Sequence, residues 1–129
     1  MNERRALQIA VAAGSLIPLC AGGAGVIFGA AMVGAAAVPV DADSHFRYLS
    51  GLLLGIGIAF VTTIPDIERR TARFRLLTAI VVVGGLGRLL GVVVRGYPGK
   101  PMLFGLLMEL IVTPALAIWQ ARVAARAGK

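Results

Sequence analysis

Four apolar runs, separated by short polar segments, make up most of the chain. They cover residues 6–33, 48–64, 76–94 and 102–120. Each run falls within or above the length of about 17 to 25 residues that a transmembrane helix needs. The pattern therefore predicts an all-α integral membrane protein, a four-helix bundle with helices over these ranges. We expect it to form one domain over residues 1–129.

The polar segments between the runs predict how the helices are connected. Residues 35–46 contain acids and a histidine but no lysine or arginine, and we expect a loop on the outer side of the membrane. Residues 66–75, DIERRTARFR, are rich in arginine and predict a short interfacial helix capped by Asp66. Residues 95–101, RGYPGKP, are rich in turn formers, so the third and fourth helices should form an antiparallel hairpin.

Lysines and arginines are distributed unevenly across this topology. One side carries Arg4, Arg5, Arg69, Arg70, Arg73, Arg75, Arg122, Arg126 and Lys129. The other side carries only Arg47, Arg95 and Lys100, while Arg88 lies within a helix. By the positive-inside rule, the more basic side is cytoplasmic. Both termini are therefore predicted to lie in the cytoplasm.

Composition supports a membrane protein and argues against several functions. The 129 residues are 58% hydrophobic, with a mean hydropathy of +0.87, which is far more apolar than a soluble domain of this length. The net charge of +7 comes from arginines at helix ends and not from a basic aromatic stripe, so we predict membrane lipids and no nucleic acid as partners. A single cysteine and a single histidine provide neither a CxxC pair nor a set of metal ligands. No metal and no cofactor is predicted.

One arginine, Arg88, interrupts the glycine-rich apolar run of residues 81–94. A charged side chain in lipid is unfavourable by about 2.5 to 3.5 kcal/mol on insertion scales, so it normally faces protein or water and has a partner. Glu109 is the acid within the last apolar run, and both residues lie roughly 9 to 11 Å below the outer ends of their helices at the α-helical rise. We therefore predict an Arg88–Glu109 ion pair inside the bundle.

Further polar residues are predicted near the same outer end of the bundle. They are His45, Arg47 and Tyr48 at the start of the second helix, and Arg95 after the third. With Arg88 and Glu109 they form a hypothetical ligand site, because guanidinium groups bind carboxylates and phosphates through paired hydrogen bonds. A small anion or a lipid headgroup fits this chemistry. In the alternative hypothesis, the Arg88–Glu109 pair only fixes the helix register and binds no ligand.

No residue pattern predicts catalysis, and no catalytic residue is assigned. Asp43, Ser44 and His45 are adjacent in sequence, but adjacency does not supply the geometry of a nucleophile with its base. We favour a non-enzymatic membrane protein that binds an anion or lipid headgroup, or that is a subunit of a membrane complex with another membrane protein or a second copy. Two alternatives stay open: a small transporter or channel, and a membrane enzyme that acts on a lipid or a quinone.

Several short motifs carry a resemblance to a known family. They are DSHFRYLSG at residues 43–51, Ile64-Pro65-Asp66, Gly84-Gly85 with Arg88, Gly96 with Pro98, and Glu109. Through them the chain resembles a bacterial family of small four-helix membrane proteins, domain of unknown function 4345, over essentially its whole length. The resemblance implies four transmembrane helices in a bacterial inner membrane. It supplies no catalytic assignment.

Overall fold

Helices joined by short turns form the structure, a computed structural model that describes residues 2–34 and 36–128. No strand occurs within these residues, which confirms the predicted all-α class. Two sequence predictions fall outside them. Ala35 was expected to start the outer loop, and Lys129 was counted among the cytoplasmic basic residues.

Four helical stretches are long and apolar enough to cross a membrane, as in a multi-pass membrane protein. They are Glu3–Val33, Val40–Val61, Thr71–Arg95 and Lys100–Ala127. In the most apolar window of each, at most 22% of the residues are buried inside the protein. Outward-facing apolar side chains of this kind suit a hydrocarbon solvent. The four helices predicted from hydropathy are therefore present, although their ends differ from the predicted ones.

Two compact units can be distinguished within the chain. The first unit is Ile9–Ile64, and the second combines the chain before Ile9 with the chain after Ile64. Helix α1 runs over Glu3–Phe28 and continues as a 3-10 helix over Gly29–Val33, and helix α2 runs over Val40–Val61. The first turns of α1 thus belong to the second unit, whereas the rest of α1 and all of α2 form the first.

Small residues bring α1 and α2 into backbone contact within the first unit. A Cβ atom added at Gly22 would lie 2.5 Å from the Leu54 backbone nitrogen, and one added at Gly25 would collide with the Ser50 hydroxyl. Ser50 is itself buried. Close approach through small residues is how helices associate where no hydrophobic driving force exists between them.

The loop predicted over residues 35–46 is wrong for most of its length, because α2 already begins at Val40. Pro39 precedes the helix with φ −54° and ψ 143°, an extended conformation that suits the entry to a helix. Asp41 and Asp43 lie in the first turn, where the positive end of the helix dipole favours carboxylates. Hydropathy located only the apolar part of a helix that starts with polar residues.

The second unit contains a helical hairpin. Helix α3 runs over Thr71–Arg95. After a short turn, a continuous helix follows in three parts: α4 over Lys100–Leu107, a π-helical turn over Met108–Val112, and α5 over Thr113–Ala127. All three parts contact α3. The predicted hairpin is therefore present, and its second arm extends past both predicted ends of the fourth helix.

The arginine-rich segment 66–75 is not a separate interfacial helix, and that prediction is wrong. Its first part is a 3-10 turn over Ile67–Arg69, where the Asp66 side chain makes no capping hydrogen bond, and from Thr71 onward it is the start of α3. The side chains of Ile67 and Phe74 are fully buried. The apolar residues of this segment therefore pack into the protein, so they are not available to lie on the membrane surface.

Candidate functional site

A charged pair lies inside the helical hairpin of the second unit. Arg88 Nε and Nη2 donate hydrogen bonds to Glu109 Oε2 and Oε1, each at 2.9 Å. Two parallel bonds are the bidentate arrangement that a planar guanidinium makes with a carboxylate. The Arg88 side chain is 32% exposed and that of Glu109 is 18% exposed. The structure thus contains the ion pair that the matching depths of the two residues predict.

Two glycines leave room for this pair between the helices. A Cβ atom at Gly105 would lie 3.5 Å from Arg88 Cζ, so the guanidinium packs over this glycine. A Cβ atom at Gly85 would lie 2.7 Å from Leu110 Cδ2 and 2.8 Å from Glu109 Cβ. Helix α3 therefore approaches the facing helix closely just beside the ion pair.

Glu109 lies within the π-helical turn Met108–Val112. Pro114 follows this turn and lacks the amide hydrogen that would continue the α-helical ladder, while the Thr113 hydroxyl donates to the Met108 carbonyl at 2.8 Å. A π turn is rare, and it is found frequently at functional sites. The proline is visible in the sequence, but a proline alone does not distinguish a kink from a π turn.

One donor of Arg88 has no oxygen partner within the described residues. Its Nη1 contacts the Met102 thioether sulfur at 3.1 Å. A thioether is a weak acceptor, so this end of the guanidinium retains most of its hydrogen-bonding capacity. Because the side chain is also partly exposed, the Arg88–Glu109 pair is not closed on all sides.

A second charged pair lies in the first unit, at the end of α1. Arg47 Nε donates to Asp43 Oδ2 at 2.7 Å. Arg47 Nη1 donates to the carbonyls of Val26 and Ile27 at 2.7 and 2.9 Å. Asp43 Oδ1 in turn accepts a hydrogen bond from the Ala30 amide at 2.8 Å. Carbonyls in the last turn of a helix lack partners within that helix, so Arg47 caps α1 from a neighbouring helix.

Gly29 permits this cap. It has a φ of +64°, and a Cβ atom there would collide with Asp43 Oδ1 and lie 2.6 Å from Arg47 Nη2. Glycine adopts this left-handed conformation without steric penalty. The spacing of Asp43 and Arg47, four residues apart, is a sequence signal for their pairing. Nothing in the sequence indicates that the pair caps a different helix.

The residues of the predicted ligand site are divided between the two units. His45, Arg47 and Tyr48 belong to the first unit, and Arg88, Arg95 and Glu109 belong to the second. The ring centroids of His45 and Tyr48 lie 6.4 Å apart. Arg95 ends α3 two turns after Arg88, and its side chain makes no hydrogen bond or ion pair with the described residues. Of the six, the structure pairs Arg88 with Glu109 and His45 with Tyr48.

Both charged pairs fall within a stretch of the chain that matches a known family. The family described as Domain of unknown function (DUF4345) matches residues 6–120. The chain belongs to this family. The resemblance carried by the sequence motifs is thereby confirmed. Comparison with curated proteins and with solved structures gives no match.

Gln120, the last residue that matches the DUF4345 family, forms a polar clamp that the sequence pattern did not indicate. Its fully buried side chain donates from Nε2 to the Ile67 carbonyl at 2.7 Å and to the Thr71 hydroxyl at 3.0 Å. Its Oε1 is buried without a hydrogen-bond partner among the described residues. The target is the carbonyl of the first residue of a short 3-10 turn, and no sequence signal identifies such a carbonyl.

Two ion pairs at the start of α1 involve residues outside the range that matches DUF4345. Arg4 Nε donates to Glu68 Oε2 at 2.8 Å, and Arg4 Nη2 donates to the Pro65 carbonyl at 2.8 Å. In the second pair, Arg126 binds Glu3.

The pKa of the Glu68 carboxyl lies below its ordinary value of 4.5. A hydrogen bond from its own backbone amide is the main cause; partial burial opposes it, and Arg4 lowers the pKa further.

The described residues of this DUF4345 chain contain no cluster of three or more His, Cys, Asp or Glu side chains that is able to hold a metal ion. Two open concavities lie away from the Arg88–Glu109 pair. One, of about 330 Å³, is lined by Asn2, Glu3, Arg4, Glu68, Val123, Arg126 and Ala127. The other, of about 220 Å³, is lined by Arg69, Arg70, Ala72 and Arg73.

Proposed function

We propose that this DUF4345 protein is a multi-pass protein of the bacterial inner membrane that acts by binding and not by catalysis. Both termini lie in the cytoplasm, because the more basic side of the topology faces inward. The bound group is an anion with the chemistry of a carboxylate or phosphate, either a small solute or a lipid headgroup. Arg88 receives it.

The observation that carries this proposal is the incomplete pairing of Arg88. Two of its donors hold Glu109, whereas Nη1 contacts only the Met102 thioether among the described residues. A guanidinium within a membrane span is unfavourable, and a purely structural pair would be expected to satisfy its donors with oxygen. The remaining donor, on a partly exposed side chain, matches an anion that binds beside Glu109 or replaces it.

Glu109 acts in this proposal as an internal competitor. Its carboxylate occupies Arg88 in the absence of ligand and lowers the affinity for an external anion. Arg95, two turns further along α3, adds positive charge at the outer helix end and attracts anions to it. Arg47 is assigned to the cap of α1, because its donors already bind Asp43 and the α1 carbonyls.

Competition between Glu109 and an external anion provides the test. Purified protein in a neutral detergent is titrated with inorganic phosphate, acetate or a short-chain phosphatidylglycerol, and its thermal unfolding midpoint is measured. We expect at least one probe to stabilise the wild type. Glu109→Gln should bind that probe about ten-fold more tightly, which corresponds to ~1.4 kcal/mol. Arg88→Gln should lose the effect.

The control for this titration is Arg122→Gln, which removes one positive charge from the other end of the helical stretch that carries Glu109. It should respond to each probe like the wild type. If Glu109→Gln and Arg88→Gln respond identically to all three probes, Arg88 binds no external anion and the pair has only a structural role.

A second candidate function, as a subunit of a membrane complex, is favoured by the exposure of the fourth span. In the most apolar window of this span, 0% of the residues are buried inside the protein. The span nevertheless carries the charged residue Glu109. A helix from another protein or from a second copy would shield that face. Native mass spectrometry of the protein extracted in a mild detergent should then show a stoichiometric partner or a dimer. A single chain that carries only lipid would contradict this function.

A further inference from the structure

We infer that the arginines at the start of α3 bind the phosphate group of an anionic lipid headgroup. Arg69, Arg70 and Arg73 line an open concavity of about 220 Å³ together with Ala72. We call these three residues the arginine cluster. The inference is independent of the function proposed for Arg88, because none of the lining residues contributes to the Arg88–Glu109 pair.

The turn between the 3-10 helix and α3 places the three side chains around one concavity. Arg69 ends the 3-10 turn, Arg70 follows it outside helical geometry, and Arg73 lies in the first turn of α3. All three arginines are exposed, and the small side chain of Ala72 leaves the concavity open between them. Guanidinium groups bind phosphate oxygens through paired hydrogen bonds, for which three arginines supply ample donors.

Hydrogen bonds hold the chain on both sides of Arg69 and Arg70. Gln120 donates to the Ile67 carbonyl at 2.7 Å and to the Thr71 hydroxyl at 3.0 Å. Arg4 bonds to the Glu68 side chain at 2.8 Å. Arginines that only determine the orientation of the protein in the membrane need no fixed positions, because a flexible loop supplies the same positive charge. An anchored backbone limits the positions of the arginines before a ligand arrives, and such pre-organisation increases the affinity for one kind of anion.

The two acids nearest in sequence bind the cluster only weakly. Glu68 forms its ion pair with Arg4, outside the cluster, and interacts with Arg69 through its charge. Asp66 lies 3.6 Å from Arg70 Nη2, longer than a hydrogen bond, and its side chain is 53% exposed. This weak pair can open at little cost when a phosphate binds, since exposed pairs contribute little to stability.

The position of the cluster favours a lipid as the source of the phosphate. Helix α3 is long and apolar enough to cross a membrane, and the cluster lies at its N-terminal end, with Arg69 and Arg70 just before the helix and Arg73 in its first turn. In the proposed orientation this end meets the cytoplasmic leaflet, where anionic lipids attract basic residues close to the membrane. A free phosphate would use the same donors, so the test separates the two sources.

Native mass spectrometry of the purified full chain, with added phosphatidylglycerol or phosphatidylcholine, tests the inference. The triple variant with Arg69→Gln, Arg70→Gln and Arg73→Gln is compared with the matched triple Arg5→Gln, Arg75→Gln and Arg122→Gln. We expect the wild type and the matched triple to prefer phosphatidylglycerol by about ten-fold, and the cluster variant to lose this preference. An equal loss in both triples, or no preference in the wild type, would overturn the inference.

Inorganic phosphate separates the two sources. If millimolar phosphate removes the phosphatidylglycerol adduct from the wild type, the site takes free phosphate and the lipid assignment is wrong; persistence of the adduct supports the lipid. Arg88→Gln should keep the lipid preference, so failure of the Arg88 proposal leaves this one intact. Circular dichroism shows whether each variant is folded. If the triple variant is unfolded, the single variants Arg70→Gln and Arg75→Gln are compared for their preference for phosphatidylglycerol, since each removes one charge.

Discussion

The two charged pairs of this protein differ in the atoms that their arginines contact. In the first unit, Arg47 donates to a carboxylate and to two backbone carbonyls, and each of these acceptors is an oxygen. In the second unit, Arg88 donates to a carboxylate, but Nη1 faces a thioether. Both arginines lie in apolar helices, so hydropathy does not distinguish them. Their partner atoms do.

This difference separates a structural role from a binding role. Removal of Arg47 would leave three acceptors without their donor, the Val26 and Ile27 carbonyls and the Asp43 carboxylate, and each lost hydrogen bond reduces stability. Removal of Arg88 would leave a single acceptor group, the Glu109 carboxylate, without its donors. We therefore expect stability to depend more on the first pair and anion binding more on the second.

The largest effect is expected for Gly29→Ala, which disrupts the cap of α1. Alanine is disfavoured at a φ of +64°, and its Cβ would collide with the Asp43 carboxylate. We expect the free energy of unfolding to fall by about 3 kcal/mol or more, measured by thermal unfolding of the purified protein in detergent.

Gly23→Ala is the matched control for Gly29→Ala, since a Cβ atom at Gly23 would meet no atom within 4 Å. Replacing glycine by alanine inside a helix stabilises by about 0.5 to 1 kcal/mol. If Gly29→Ala is as stable as Gly23→Ala, the α1 cap does not contribute to stability and the contrast between the two pairs fails.

A smaller loss, of about 2 to 3 kcal/mol, is expected for Arg47→Gln, because a shorter neutral side chain cannot satisfy both Asp43 and the α1 carbonyls. Arg88→Gln should lose clearly less in the same unfolding measurement. The comparison is reversed if Arg88→Gln proves the more destabilising of the two. In that case the Arg88–Glu109 pair would be the main structural pair.

The features that were predicted from the sequence are those that follow from where a residue lies along the axis of its helix. Runs of apolar residues located the four helices, and the matching depths of Arg88 and Glu109 located their pair, because two antiparallel helices bring equal depths together. The cap of α1 was not predicted. It depends on the left-handed backbone at Gly29 and on which carbonyls lack partners, and both are properties of the folded backbone.

Glycines illustrate the same limit within one helix. The pair Gly51 and Gly55 has the spacing of a helix contact motif, yet a Cβ atom at Gly55 would meet no atom within 4 Å. In contrast, Gly22 and Gly25 of α1 are in tight contact with α2. Spacing alone identifies residues that permit close approach, whereas the partner helix determines which of them are used.

Gly85→Ala extends the comparison to the packing beside the Arg88–Glu109 pair. The added Cβ would lie within 3.0 Å of the Leu110 side chain and of Glu109 Cβ, so the helices must separate slightly. We expect a loss of about 1 to 2 kcal/mol in thermal unfolding. Gly84→Ala, where the Cβ would meet open space, is the neighbouring control and should not be destabilised. Similar losses in both variants would mean that α3 does not pack closely at Gly85.

The smallest effect concerns a third pair, Arg4–Glu68, whose acid lies outside the four helical stretches that are able to cross a membrane. The pKa of Glu68 is lowered in the folded protein, so its contribution to stability is present above the ordinary value of 4.5 and is lost as the pH falls through the lowered value. Wild type should exceed Glu68→Gln in thermal stability at neutral pH, and the two should converge as the pH falls below the ordinary value of 4.5 and through the lowered pKa.

Arg4→Gln determines which partner of Glu68 produces this pH dependence. The Glu68 backbone amide is the main cause of the lowered pKa, and the Arg4 side chain adds to it. Arg4→Gln should therefore be slightly less stable than the wild type at neutral pH. It should still lose most of its stability advantage over Glu68→Gln as the pH falls, as the wild type does. If Arg4→Gln abolishes the pH dependence, the ion pair and not the backbone determines the behaviour of this carboxylate. Arg4, although exposed, would then contribute more to stability than exposed ion pairs usually do. The pH dependence of Arg47→Gln and Arg88→Gln would in that case have to be measured as well, because partner atoms alone would not determine the role of an arginine.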